Sequence, residues 1–122
     1  MTEAGGVQGR LSVSVKADVH VVHFLDRKIL DETNIIELAN QLFDLVDKNK
    51  GIKLLLNFNN VQYLSSTVLG KLITLRTRVD EDRGRLVLCG IRPQILEVFK
   101  ITKLTKIFDI VEDEATGLAH FA

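Results

Sequence analysis

The segment that most constrains the fold is Ile52-Lys53-Leu54-Leu55-Leu56-Asn57-Phe58. It is too short for a typical helix and too continuously apolar for a strand with one wet face. It therefore reads as a central, buried strand of the kind found inside parallel sheets. Turn residues bound it on both sides, Asn49-Lys50-Gly51 before and Asn59-Asn60 after. Arg85 to Cys89 is a second run of the same type, again opened by a turn, Arg83-Gly84.

The segments between these runs have helical spacing. Ile35, Ile36, Leu38, Ala39, Leu42, Phe43, Leu45 and Val46 recur on one side of a helix, with Asp44, Asp47 and Lys48 on the other. Asn34, with Glu37 three residues on, is the expected cap of that helix. Residues Leu25 to Asp31 read as a connection. A second helix is predicted over Thr67 to Asp82, with Val68, Leu69, Leu72, Ile73, Leu75 and Val79 as its stripe. A third opens at Pro93, since proline suits the first helical turn. Leu104 to Val111 suggests a last strand and Glu112 to Ala122 a terminal helix. Upstream, Leu11, Val13 and Val15 alternate with polar residues, as in a half-buried strand. Ala17-Asp18 turn the chain into Val19 to Phe24, its hairpin partner. The order is β-β-α-β-α-β-α-β-α, an α/β domain with a mostly parallel sheet made mixed by the hairpin. Residues 1–10, small, polar and glycine-rich, read as a flexible N-terminal tail ahead of one domain over 11–122.

Charge excludes several classes of partner. Sixteen Lys and Arg balance sixteen Asp and Glu, so the basic excess of a nucleic-acid binder is missing. No apolar run approaches the length of a transmembrane helix, and Glu3 with its glycines does not suit a signal peptide. The expectation is a cytoplasmic protein with no membrane insertion. The single Cys89 allows no intrachain disulfide and lies in an apolar run, as a small core residue does. His20 and His23, three apart on a strand, point to opposite faces and cannot form a two-histidine metal site. Ser65 lacks the glycine-flanked elbow of a hydrolase nucleophile, and no phosphate-cradling Gly-rich loop with its lysine exists. No catalytic residue, cofactor or metal is expected. Arg76, Arg78, Arg83 and Arg85 cluster near the second helix end, either as a solvated face or as a rim for an acidic partner.

The feature that stands out is Ser65-Ser66 where the second helix begins. A serine there is an ordinary helix cap. The free N–H groups and the dipole at a helix start also favour negative charge, phosphate included. The stretch Leu54 to Ser66 resembles the core of the STAS-domain anti-sigma factor antagonists. Their pattern is an apolar strand, a turn, an aromatic-aliphatic step, and Asp-Ser-Ser/Thr-Gly-Leu-Gly opening a helix. The similarity continues in Lys28-Ile29-Leu30-Asp31, Arg85 to Gly90, Val98 to Leu104 and Ile107-Phe108, and spans residues 11 to 121. The chain departs from the pattern at Leu64 and Asn57, where acids are usual, and at Thr67 and Leu69, where glycines are usual.

The resemblance implies a sheet of four or five strands with helices mainly on one face. It also implies a partner-switching role: binding an anti-sigma factor that is a serine kinase, release on phosphorylation, and resetting by a phosphatase. By position the phosphorylated residue is Ser65, with Ser66 as second choice. The implied contact surface is Asn59, Asn60, Gln62, Leu64, Ser65, Ser66 and Thr67. Two other readings stand beside the partner-switching role: a non-switching STAS scaffold, of stressosome or lipid-transporter type, which the missing acids favour, and a small anion- or nucleotide-binding module, with the helix start holding the ligand.

Overall fold

The computed structural model describes residues 5–121, with side chains from residue 9 onward. Its elements are β1 Gly5–Gln8, β2 Leu11–Lys16, β3 Val19–Phe24, β4 Lys28–Ile29, α1 Glu32–Lys48, β5 Lys53–Asn57, β6 Tyr63–Leu64, α2 Ser66–Glu81, β7 Arg85–Cys89, α3 Pro93–Ile101, a 3₁₀ turn Leu104–Lys106, β8 Asp109–Val111 and α4 Glu114–His120. One mixed sheet runs in the order β1-β2-β3-β5-β7-β8, and β4 and β6 form a separate two-stranded ribbon. The pairs β1–β2 and β2–β3 are antiparallel, and β3, β5, β7 and β8 run parallel to one another.

The central run behaves as its composition requires. In β5, alternation sends Leu54 and Leu56 to the larger core, where they join Leu38, Leu42, Leu72, Leu75 and Phe99 from α1, α2 and α3. Leu55 points the other way, to a smaller cluster with Val19, Val21, Val87 and Cys89, against which Leu118 and Phe121 pack. Three helices thus cover one face and α4 part of the other, so the helices lie mainly on one side. Gly117 lets α4 settle: a Cβ there would stand 2.7 Å from Leu55 Cδ1. Cys89 is fully buried, and burial, helped by the charges of Glu114 and Asp113, pushes its thiol up to about 12. It stays protonated and packs as a small apolar group.

Several local expectations are corrected. Gly5–Gln8 is not tail but an edge strand on Leu11 to Ser14, reached through Gly9 in a left-handed conformation, φ 58°. Residues 1–4 of the expected tail lie outside the described residues. The glycines Gly5 and Gly6 give no alternation to read, and the strand shows itself in its pairing with β2. The cap of α1 is Asp31, three residues before Asn34; its Oδ1 accepts the N–H groups of Thr33 at 2.8 Å and Asn34 at 3.3 Å. Asn34 instead accepts from Arg10 Nη2. The connection 25–31 holds β4, which exists only because β6 pairs with it. Leu104 to Val111 divides into a 3₁₀ turn and a three-residue strand, and α4 is shorter than Glu112 to Ala122. The expected stripes also lose Ile36 and Ile73 to solvent. Among the described residues no helix is long and apolar enough to cross a membrane.

Candidate binding site at the start of α2

The chain between β5 and α2 is held by backbone and side-chain hydrogen bonds together. After Phe58, whose N–H bonds to Cys89 O at 2.9 Å, Val61 N–H closes the turn on Phe58 O at 2.8 Å. Val61 is buried and anchors the turn, while Asn59 and Asn60 are exposed. Asn60 Nδ2 donates to the carbonyls of Phe24, at 3.2 Å, and Leu25, at 3.0 Å. Gln62 and Tyr63 both donate their N–H to Arg27 O, at 2.7 and 3.1 Å. Ser65 N–H then bonds to Ile29 O at 2.9 Å, completing the β4–β6 ladder on the last residue before the helix.

Ser65 is thereby delivered as the cap of α2. Its Oγ accepts the Thr67 N–H at 3.2 Å, and its carbonyl takes the Val68 N–H at 3.0 Å. Ser65 is half-buried, whereas Ser66 and Thr67 are exposed. The hydroxyl is used as an acceptor and keeps its own proton to offer. No acidic residue stands in the first turn of α2, so the positive end of its dipole is not neutralised locally. Leu64, where an acid is usual in the resembling pattern, packs half-buried against the larger core.

All seven residues proposed for contact lie along this one segment, 59–67, but they differ in availability. Asn59, Asn60, Ser66 and Thr67 face solvent, Gln62 and Ser65 are half-buried, and Leu64 turns inward. Two cations missed in the sequence brace the turn. Arg92 Nη2 donates to Asn59 O at 2.9 Å, and Arg27 Nη2 to Gln62 Oε1 at 3.3 Å. Each is 33 or 35 residues away along the chain, so no local pattern could have shown it. Around them Tyr63, 53% exposed, lies under Lys28 Nζ at 5.6 Å, and Leu30 is 54% exposed.

In the arginine cluster at the other end of α2, Arg76, Arg78 and Arg85 form ion pairs. Arg76 meets Asp80 at 3.5 Å, Arg78 meets Asp47 at 3.2 Å and stacks over Phe43, and Arg85 reaches Asp109 at 3.8 Å. Arg83 occupies a left-handed position after the helix, φ 62°.

Comparison with known proteins agrees with this architecture. A protein of Bordetella bronchiseptica that carries the name anti-sigma factor antagonist BtrV is 27% identical over 93 residues, covering 76% of this chain and 79% of that protein. A structure of an anti-sigma-factor antagonist (STAS) domain protein from Planctomyces limnophilus superposes with a TM-score of 0.81 at 22% identity, over 92% of this chain and 98% of that one. The phosphorylated form of the Bacillus cell fate determinant SpoIIAA has the same fold at a TM-score of 0.66 and 13% identity, over 99% of this chain and 100% of that one. Residues 11–117 match the STAS domain family, and the chain belongs to it.

Proposed function

We propose that this chain is an anti-sigma factor antagonist that works by partner switching in the cytoplasm. It binds an anti-sigma factor, itself a serine kinase, through the turn Asn59 to Leu64 and the start of α2, and so frees a sigma factor. The kinase transfers the γ-phosphoryl group of ATP to Ser65 Oγ, whose proton leaves, and a phosphatase hydrolyses the ester to reset the protein. The chain is the substrate and the switch in this cycle, with no catalytic residue of its own.

The observation that carries the reading is the placement of Ser65. A half-exposed hydroxyl caps a sixteen-residue helix whose first turn holds no carboxylate. A phosphate there gains from the free N–H groups and the dipole, and it adds nearly two negative charges to a contact surface that has none in segment 59–67. Family membership and the name of the Bordetella relative support the same role.

The test is incubation with the anti-sigma factor kinase and ATP, followed by mass spectrometry of wild type and Ser65→Ala. One phosphate on the wild type and none on the variant is the expected result. Equal labelling of both moves the site elsewhere, with Ser66 next in line. A wild type that binds the anti-sigma factor and takes no label supports the second reading, a non-switching STAS scaffold. Leu64 in place of an acid favours that reading, because it removes a charge beside the hydroxyl.

A further inference from the structure

A shared carboxylate links the far face of the sheet to the turn that leads to Ser65. Glu114 opens α4 on the face opposite α1, α2 and α3. Its Oε2 receives Lys16 Nζ from β2 at 2.8 Å. Its Oε1 receives His23 Nε2 from β3 at 2.9 Å and Asn57 Nδ2 from β5 at 3.2 Å. Burial opposes this charge most strongly, yet the bonds from Lys16 and Asn57 and the charges of Lys16 and His23 hold the carboxyl below its usual range.

Asn57 carries the link across the end of the strand. Its Oδ1 accepts the Asn59 N–H at 2.8 Å while its Nδ2 donates to Glu114. Only one orientation of the amide satisfies both, since a backbone N–H needs an acceptor and a carboxylate needs a donor. Asn57 is 8% exposed, and Gly90 closes behind it: a Cβ on Gly90 would lie 2.8 Å from Asn57 Oδ1 and 3.1 Å from Asn59 N. Beyond it, Asn59 O is held by Arg92 and Asn60 by the carbonyls of Phe24 and Leu25.

We infer that Glu114 is a positioning residue which, through Asn57, sets the geometry of the Asn59–Asn60 turn, so that the seating of α4 controls the surface offered beside Ser65. The coupling stands on the hydrogen bonds alone; its regulatory meaning rests on the proposed partner binding. Glu114 then does more than staple a terminal helix, because a staple would leave the turn indifferent to it.

Amide hydrogen exchange and ¹H–¹⁵N spectra of the full chain separate these possibilities. Glu114→Gln leaves one acceptor atom for three donors, and Asn57→Asp sets an oxygen against Glu114 Oε1. In each, the Asn59 N–H is expected to exchange roughly tenfold faster, the effect of weakening one hydrogen bond, with shifted Asn59 and Asn60 resonances. The pair N57D and E114Q together restores a donor facing an acceptor, and the remaining Asp oxygen still takes the Asn59 N–H, so protection returns. Amides of Leu54 to Leu56 report whether the sheet is intact, and if a single variant loses them the double variant decides alone. Asn59 exchange within about twofold of wild type in both single variants overturns the coupling, as does a double variant with no recovery. Weaker binding of the anti-sigma factor by E114Q, restored in the double variant, extends the coupling to the partner. A displaced turn with unchanged affinity leaves the coupling standing and removes the turn from the contact surface.

Discussion

The two helices that follow β6 and β8 begin in opposite chemical ways. At α2 the cap is a neutral serine, the first turn has no acid, and Ser66 and Thr67 are open to solvent. At α4 the cap is Asp113, whose carboxylate accepts the Thr116 N–H at 2.9 Å, and Glu114 in the first turn takes donors from three strands. The bond from the Thr116 backbone N–H holds the Asp113 carboxyl below its usual range. A helix of seven residues has little stability of its own and needs such anchoring. The sixteen-residue α2 buries Val68, Leu69, Leu72, Leu75 and Val79 and holds its place without it. An acid near a helix start adds about 0.3–1 kcal/mol, so α2 forgoes stabilisation that α4 takes. The short helix satisfies its positive end from within, and the long one leaves that end without a carboxylate of its own.

The largest way to break this contrast is to unseat α4. Leu55 is fully buried on the α4 face and touches Gly117. Leu55→Ala should cost about 2–5 kcal/mol, read as a lower urea midpoint, with α4 amides losing protection before those of α2. Leu72→Ala, on the other face, should cost a similar amount and expose α1 and α2 amides instead. Equal loss in all helices for both variants would mean that the two faces do not respond separately.

A smaller effect separates stability from binding at Ser65. Ser65→Ala removes the bond to Thr67 N–H and should cost about 1 kcal/mol. Ser65→Asp keeps an equally good cap and places a charge where the dipole favours it, so its stability should match or exceed wild type. Its affinity for the anti-sigma factor should fall at least about tenfold, as expected when charge meets a surface built for a neutral residue. Thermal melts and titration calorimetry check both. An aspartate variant that melts well below the alanine variant would show that Ser65 is sterically confined and not an open helix start.

What was legible in the sequence follows from how local each signal is. The buried strands and the serine cap of α2 come from residues within one turn of each other and stand close to where the local pattern puts them, although α2 begins at Ser66, one residue before the expected Thr67, and leaves Ile73 exposed. The edge strand Gly5–Gln8 was hidden because its glycines carry no pattern and its partner supplies the pairing. The ribbon β4–β6 escaped for a similar reason: two residues each are too short to show a period. The local pattern points to Asn34 as the cap of α1 although Asp31 holds that place, because either residue type caps well and only the path of the chain decides which one does. The four-residue link among Lys16, His23, Asn57 and Glu114 joins positions as far as 98 residues apart. Nothing near Glu114 distinguishes it from a solvated helix residue until the sheet brings its donors together.

Acid sharpens the contrast by the smallest step, and two groups set its course. His20 shares the larger-core face with Val22 and Phe24, its Nδ1 is buried without a partner, and burial lowers its pKa from the ordinary 6.5. The folded chain therefore binds this proton less readily than the unfolded chain. Stability is unaffected by His20 above 6.5 and declines as pH falls below it. Glu114 is lowered from 4.5, so its stabilisation is complete above that value and is lost as pH falls through the folded value beneath it. Urea unfolding across pH should thus decline in two stages, the upper one absent in His20→Leu and the lower one reduced in Glu114→Gln. Asp113, lowered in the same direction, should keep part of the lower stage in that variant. Because α2 begins without a carboxylate, its first-turn amides should keep their protection through the lower stage until global unfolding, while those of α4 loosen earlier. If both helix starts fray together as Glu114 takes its proton, the acid at α4 is not what distinguishes them, and the open end of α2 needs another explanation.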